Sequence, residues 1–139
     1  MSELHEGGCL CGSVRYRVSG KPRRTVVCHC TFCQRSTGSA FLTEAAFLKG
    51  QVEIEGGPIT TYDHISDETG RRLTLQFCPT CGTKVGMQLE WFPETQMIFV
   101  GTLDDPHWLK MERHIFARSA VRWMQYPADA EVYQIHYAY

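Results

Sequence analysis

Arg71-Arg72-Leu73-Thr74-Leu75-Gln76-Phe77-Cys78-Pro79-Thr80-Cys81-Gly82-Thr83-Lys84-Val85-Gly86-Met87-Gln88-Leu89 is the stretch on which the fold turns. Leu73, Leu75 and Phe77 alternate with polar residues, the period of a half-buried strand. Val85, Met87 and Leu89 repeat that period after an interruption, Cys78-Pro79-Thr80-Cys81-Gly82. A Cys-x-x-Cys turn with an internal proline points both sulfurs at one ion, and the glycine after it lets backbone N–H groups approach the thiolates. A thioredoxin-like redox pair would instead open a helix within a βαβ unit. Here a strand follows Cys81, so the stretch reads as two strands joined by a metal-binding knuckle.

Outward from it, the same period recurs. Val14, Tyr16 and Val18 alternate with Arg15 and Arg17. Short strands are expected at Thr25–Val27, Ala40–Thr43, 51–55, Thr60–Tyr62, 96–100 and His114–Ala117, with Gly20-Lys21-Pro22 and Gly56-Gly57-Pro58 as breaks. One helical turn is expected over Phe32–Ser36, stopped by Gly38. No sustained helical periodicity, repeat, linker or low-complexity tract divides the chain. The expectation is a mainly β single domain over residues 1–139, with about eight short strands.

The 139 residues and 15.9 kDa suit one domain, and 43% hydrophobic residues suffice for a packed core. Fourteen basic and fifteen acidic residues leave a net charge of −1, which argues against a broad grip on nucleic acid or anionic lipid. The N-terminus has no basic segment followed by an apolar one, and no run of about 18 apolar residues occurs. A cytoplasmic, reducing setting is therefore expected, in which thiols are kept from forming structural disulfides. Against that background the seven cysteines demand another explanation, since an odd number cannot be consumed by internal disulfides.

They fall in three groups: Cys9 and Cys11, then Cys28, Cys30 and Cys33, then Cys78 and Cys81. A structural zinc site is closed by four protein ligands, whereas a catalytic one has three and an open position. Seven thiols divide as four plus three. Cys28, Cys30 and Cys33 lie within one short loop and form an open site unaided; Cys9, Cys11, Cys78 and Cys81 make a closed one that staples the N-terminus to the middle of the chain. Other partitions are open at this level. One alternative pairs the knuckle at Cys78 and Cys81 with two of the middle cysteines and leaves the Cys9 pair free; another uses His29 as an extra ligand to close the middle site. His29 stands between two ligands, so its side chain is expected to point away from their ion, toward the surface or a place beside the ligands.

The open site has defined chemistry. Three thiolates on a divalent zinc leave one net negative charge, so a substrate thiol in the vacant position stays an electron-rich thiolate. The same charge disfavours carbonyl activation for peptide-type hydrolysis, where neutral histidine-rich shells are usual.

Three motifs carry a resemblance. Gly7-Gly8-Cys9-Leu10-Cys11-Gly12-Ser13-Val14-Arg15-Tyr16, Cys28-His29-Cys30-Thr31-Phe32-Cys33-Gln34-Arg35-Ser36-Thr37-Gly38 and Phe77-Cys78-Pro79-Thr80-Cys81-Gly82-Thr83 resemble those of the glutathione-dependent formaldehyde-activating (GFA) family, whose domain is shared with centromere protein V. Gly101–Pro106 and His114-Ile115 also fit, so the resemblance runs over about 7–123 and takes in all seven cysteines. It implies a small zinc-stabilised Mss4-like β-tent with two zinc ions per chain. Cys9, Cys11, Cys78 and Cys81 would hold the structural one, and Cys28, Cys30 and Cys33 a labile, substrate-facing catalytic one. It also implies a carbon–sulfur lyase-type reaction, the addition of glutathione to formaldehyde to give S-hydroxymethylglutathione. The stretch 123–139 departs from the family pattern. A fold alone does not carry an activity, so a non-catalytic zinc-stabilised protein-binding module stands as the alternative.

Glutathione carries two carboxylates, which planar guanidinium groups recognise. Arg35, just after the middle cysteines, is the candidate substrate contact; Arg23 and Arg24 precede them and read as surface residues. Thr37, Gly38 and Ser39 offer donors near the metal or form an ordinary turn. His5, His64, His107 and His136 have no metal spacing between them. Trp91-Phe92 reads as a pocket wall or a hairpin tip, and Asp104-Asp105-Pro106 as a turn.

Overall fold

The alternating sequences become strands in the computed structural model, which describes residues 3–136. In chain order they are β1 (Leu4–Gly8), β2 (Val14–Ser19), β3 (Arg24–Cys28), the helix α1 (Thr31–Thr37), β4 (Leu42–Leu48), β5 (Val52–Gly56), β6 (Thr60–Ile65), β7 (Arg72–Phe77), β8 (Lys84–Leu89), β9 (Phe92–Phe99), β10 (Arg113–Ile115) and β11 (Glu131–Val132). The protein is thus mainly β, as an Mss4-like fold requires.

Two compact units are formed. One comprises the chain up to Arg24 together with Ala45–Trp108, the other Thr25–Glu44 together with Leu109 onward. The first unit holds an antiparallel trio in the order β1-β2-β5 and an antiparallel run β9-β8-β7-β6. Val14, Tyr16 and Val18 on β2 are buried while Arg15 and Arg17 face outward to Asp104 and Glu55. Cys9, Val14, Cys78 and Val85 form one buried cluster, flanked by Ile59 and Cys81, so the knuckle is itself part of the apolar core. In the second unit β10 runs parallel to β3 on one side and to β11 on the other. Gly38 takes a left-handed conformation and closes α1, as expected from the sequence.

Differences from the sequence reading have local causes. β1 was not expected, because His5-Glu6-Gly7-Gly8 lacks β-branched and aromatic residues. It forms because the glycines allow close approach: a Cβ on Gly7 would lie 2.4 Å from the Tyr16 hydroxyl, and one on Gly8 2.3 Å from the Val14 carbonyl. Ala40–Thr43 proves to be the lead-in to β4, which continues through Glu44-Ala45-Ala46, residues whose strand propensity is poor but whose burial is nearly complete, to the buried Phe47. β9 begins four residues earlier than expected, β10 ends at Ile115, and Ala117 lies in a short 3-10 turn.

Gly86 on β8 provides a test of this packing. A Cβ there would lie 2.5 Å from the Met97 carbonyl oxygen and 2.8 Å from Nε2 of Gln96. Gly86→Ala should lower stability by about 1–3 kcal/mol in thermal or denaturant unfolding. Gly50→Ala, where a Cβ meets open space, should stay within about 0.5 kcal/mol of the parent. Equal effects would contradict the packing described.

Candidate metal centres

Two sulfur clusters emerge from the fold, and their membership matches the four-plus-three division. Sγ atoms of Cys9, Cys11, Cys78 and Cys81 lie within 4.8 Å of one another in the first unit, and those of Cys28, Cys30 and Cys33 do so in the second. None of the seven is in a disulfide. The partition that pairs Cys78 and Cys81 with middle cysteines is therefore not the one adopted.

The four-sulfur cluster is built from two facing turns. Cys78 N–H donates to the Thr83 carbonyl and Gly82 N–H to the Cys78 carbonyl; on the other side Gly12 N–H donates to the Cys9 carbonyl and Cys9 N–H to that of Val14. Gly12 and Gly82 both have φ near +80°, +83° and +77° respectively, which a residue with a Cβ adopts only at a cost. Leu10 N–H reaches across to Oγ1 of Thr83 at 3.1 Å, tying one turn to the other. Sulfur separations are 3.6 Å for Cys9–Cys11 and 3.8 Å for Cys11–Cys78. A tetrahedral ion with zinc–sulfur bonds of about 2.3 Å sets its ligands about 3.8 Å apart, whereas a disulfide needs about 2.05 Å. The donor set and its spacing suit a tetrahedral thiophilic cation.

Hydroxyl donors surround these sulfurs. Oγ of Ser13 lies 3.2 Å from Sγ of Cys11, 3.3 Å from that of Cys78 and 3.7 Å from that of Cys9. Oγ1 of Thr83 lies 3.2 Å from Sγ of Cys81. Burial pushes the Cys9 thiol up, but hydrogen bonds from Val14 N–H, Ser13, Cys11 and Cys78 outweigh it and bring the thiol to about 7. Side-chain and backbone hydrogen bonds from Thr83, with one from the Cys11 backbone, lower Cys81 to about 5. The environment thus favours the thiolate at Cys9 and Cys81, while at Cys11 the bonds from Ser13 are outweighed by interactions with Cys9 and Cys78 and by burial, which push that thiol up. Ser13 and Thr83 were missed from sequence because a hydroxyl beside a ligand has no spacing signature.

The three-sulfur cluster sits where β3 passes into α1. Cys28 ends the strand, Cys30 is the N-cap of the helix, and Cys33 lies in its first turn. The Cys30 sulfur accepts a hydrogen bond from Cys33 N–H at 3.3 Å. All three are buried, at 3–7% exposure. Hydrogen bonds from the Cys28 and Cys33 thiols, aided by backbone N–H groups, lower Cys30 to about 3. Cys28 is pushed well above the usual thiol range first by its hydrogen bond to Cys30 and then by burial, against a lowering bond with Cys33, and Cys33 first by its bonds with Cys28 and Cys30 and then by burial. The crowding thus favours ionisation at Cys30 and opposes it at Cys28 and Cys33, and a cation among the sulfurs would release the protons held there. Glu44, buried on β4, adds its charge to the forces holding the proton on Cys28. Its signal in the sequence was an acid inside the apolar run 42–48.

His29 does not reach the surface. Its ring is fully buried, with Nε2 2.8 Å from Nδ1 of His114, and it is not among the clustered ligands. Arg35 is exposed in the last turn of α1, beyond Cys33. Arg24 is taken up by the Phe92 ring, 4.3 Å from its centroid, and Arg23 is exposed. Thr37 and Ser39 complete the end of α1, Thr37 Oγ1 donating to the Cys33 carbonyl and accepting from Ser39 N–H. His5 stacks on Trp108, and the Asp105 carboxylate accepts from His107 N–H. Trp91 stands in the hairpin turn between β8 and β9. Among the described residues no helix is long and apolar enough to cross a membrane.

Comparison with known proteins agrees with this geometry. Residues 4–119 match the family described as glutathione-dependent formaldehyde-activating enzyme. No curated protein matches the sequence. Among solved structures the chain is similar to that of a Rhodobacter sphaeroides protein determined as a structural-genomics target. That likeness has a TM-score of 0.56 and 24% identity, covering 71% of this chain and 87% of that one, and it bears on the fold.

The hydroxyl donors generate a prediction of their own. Ser13→Ala and Thr83→Val should speed transfer of metal from the four-cysteine cluster to a chromogenic chelator by roughly 10-fold or more, and Thr83→Ser should retain the slow rate. Unchanged release in both deletions would show that the hydroxyls do not support the thiolates.

Proposed function

The chain belongs to the glutathione-dependent formaldehyde-activating family, and we propose that it is a zinc-dependent carbon–sulfur lyase-type enzyme that adds a thiol, glutathione, to an aldehyde such as formaldehyde. The observation that carries this reading is the convergence of three buried sulfurs in one loop, Cys28, Cys30 and Cys33, separate from a complete set of four. On this reading the set of four, Cys9, Cys11, Cys78 and Cys81, holds a structural zinc, and the set of three holds a catalytic one. Zinc at the three-cysteine site supplies a Lewis acid beside which a thiol is kept ionised.

The chain's own groups do the rest. Once a cation had displaced their protons, Cys28, Cys30 and Cys33 would present three thiolates, which would keep an incoming sulfur electron-rich. Their burial excludes water from the reacting centre. Arg35 is the candidate partner for a glutathione carboxylate at the exposed end of α1. The reaction is an addition without redox change: the thiol sulfur forms a bond to the carbonyl carbon, and the proton the thiol gave up ends on the carbonyl oxygen. The product is S-hydroxymethylglutathione. Small-molecule thiol and aldehyde are the partners, with no nucleic acid or membrane. A reducing compartment such as the cytoplasm is where seven such thiols persist.

Metal content separates the roles. The wild-type chain should carry two zinc ions by elemental analysis, one of them exchangeable and perturbed by glutathione. Cys30→Ser should fold, by circular dichroism, and lose one ion together with acceleration of S-hydroxymethylglutathione formation. Cys81→Ser should fail to fold, since structural zinc contributes directly to folding. A single tightly held zinc with no response to glutathione would favour the protein-binding module instead, and two variants that fold equally well would overturn the assignment of roles.

A further inference from the structure

Within the stretch that carries Cys28, Cys30 and Cys33, where Cys28 already pairs with Ile115 of β10, His29 is held at three points. His29 lies between the first two ligands and is gripped at its amide, its carbonyl and its ring. Its N–H donates to the Ile115 carbonyl at 3.0 Å. Its carbonyl accepts from Nε2 of Gln34 at 2.8 Å. Its Nε2 lies 2.8 Å from Nδ1 of His114, one ring donating and the other accepting. The second proton on Gln34 Nε2 goes to the Ser119 carbonyl, also at 2.8 Å, so this one amide spans α1 and the turn after β10.

That turn is itself built for the purpose. Phe116, buried and non-glycine, takes a left-handed conformation with φ of 56°, a costly one for a bulky residue. It ends β10 and starts the 3-10 turn that presents the Ser119 carbonyl. The Tyr126 ring stands edge-on to both histidines, with centroids 5.7 Å from His29 and 4.9 Å from His114. Tyr126 lies beyond the residues that match the family.

We propose that His114 and Gln34 are positioning residues for the three-cysteine site: by fixing His29 against β10 they keep the Cys28 and Cys30 sulfurs turned to the same side as Cys33. This rests on the reading of that loop as a metal site. Like charges forced together resist convergence, and a loop fixed beforehand loses less freedom when a cation binds.

Cobalt(II) titrated into the full chain tests it. Its tetrahedral thiolate absorption reports binding, and mass spectrometry of which cysteines are protected from alkylation assigns each step to its cluster. His114→Leu and Gln34→Met should weaken the step that protects Cys28, Cys30 and Cys33 by roughly 10–100-fold and leave the other step unchanged. His114→Asn, whose amide reaches the place of Nδ1, should restore most of the loss. Equal cobalt affinity in all variants would overturn the proposal, as would parallel weakening of both clusters or failure of the asparagine to rescue. A wild-type chain that never protects the three cysteines would overturn the metal reading, and the positioning role with it.

Discussion

Sulfurs that ionise repel one another when brought within 4.8 Å, unless protons or a cation lie between them. Most of this structure can be read as a response to that constraint. In the first unit the strands β1, β2, β7 and β8 end at two turns whose only shared business is to face four sulfurs inward. The apolar cluster of Val14 and Val85 is completed by Cys9 and Cys78, so the core and the cluster are one object. In the second unit the same problem is met with fewer sulfurs and more burial, which favours ionisation at Cys30 and opposes it at Cys28 and Cys33.

The two clusters differ in the way their charge is supported. Around the four-cysteine set the support is hydroxylic, from Ser13 and Thr83, and close to the ligands. Around the three-cysteine set it is conformational, through the grip on His29. A closed set needs its charge dispersed because no further ligand will arrive. An open set needs its geometry kept while one position waits for substrate. On the proposed roles, the difference between a holding site and a working one would lie in the residues next to the cysteines as well as in their number.

Much of this was legible in the sequence. Cysteine spacing read correctly because turns are local: three or four residues decide where two sulfurs point. Strands with strict alternation, such as Val14–Val18 and Leu73–Phe77, read correctly for the same reason. β1 did not, because its glycines answer to the Tyr16 hydroxyl and the Val14 carbonyl, contacts formed only in the folded unit. β4 did not, because Glu44-Ala45-Ala46 has little strand propensity and is placed by burial. His29 was located beside the ligands, yet its partner His114, 85 positions away in sequence, was known only as a motif match. Contacts that close long loops leave no periodic trace.

The central claim is one closed set of four thiolates and one open set of three that takes up a substrate thiol. X-ray absorption at the zinc edge on the fully loaded chain tests it directly. Averaged over two ions, the account predicts about 3.5 sulfur neighbours per zinc with a minor light-atom contribution, rising to about 4 when glutathione is added. A spectrum that already shows four sulfurs without glutathione, or one whose light-atom contribution persists in its presence, would contradict it.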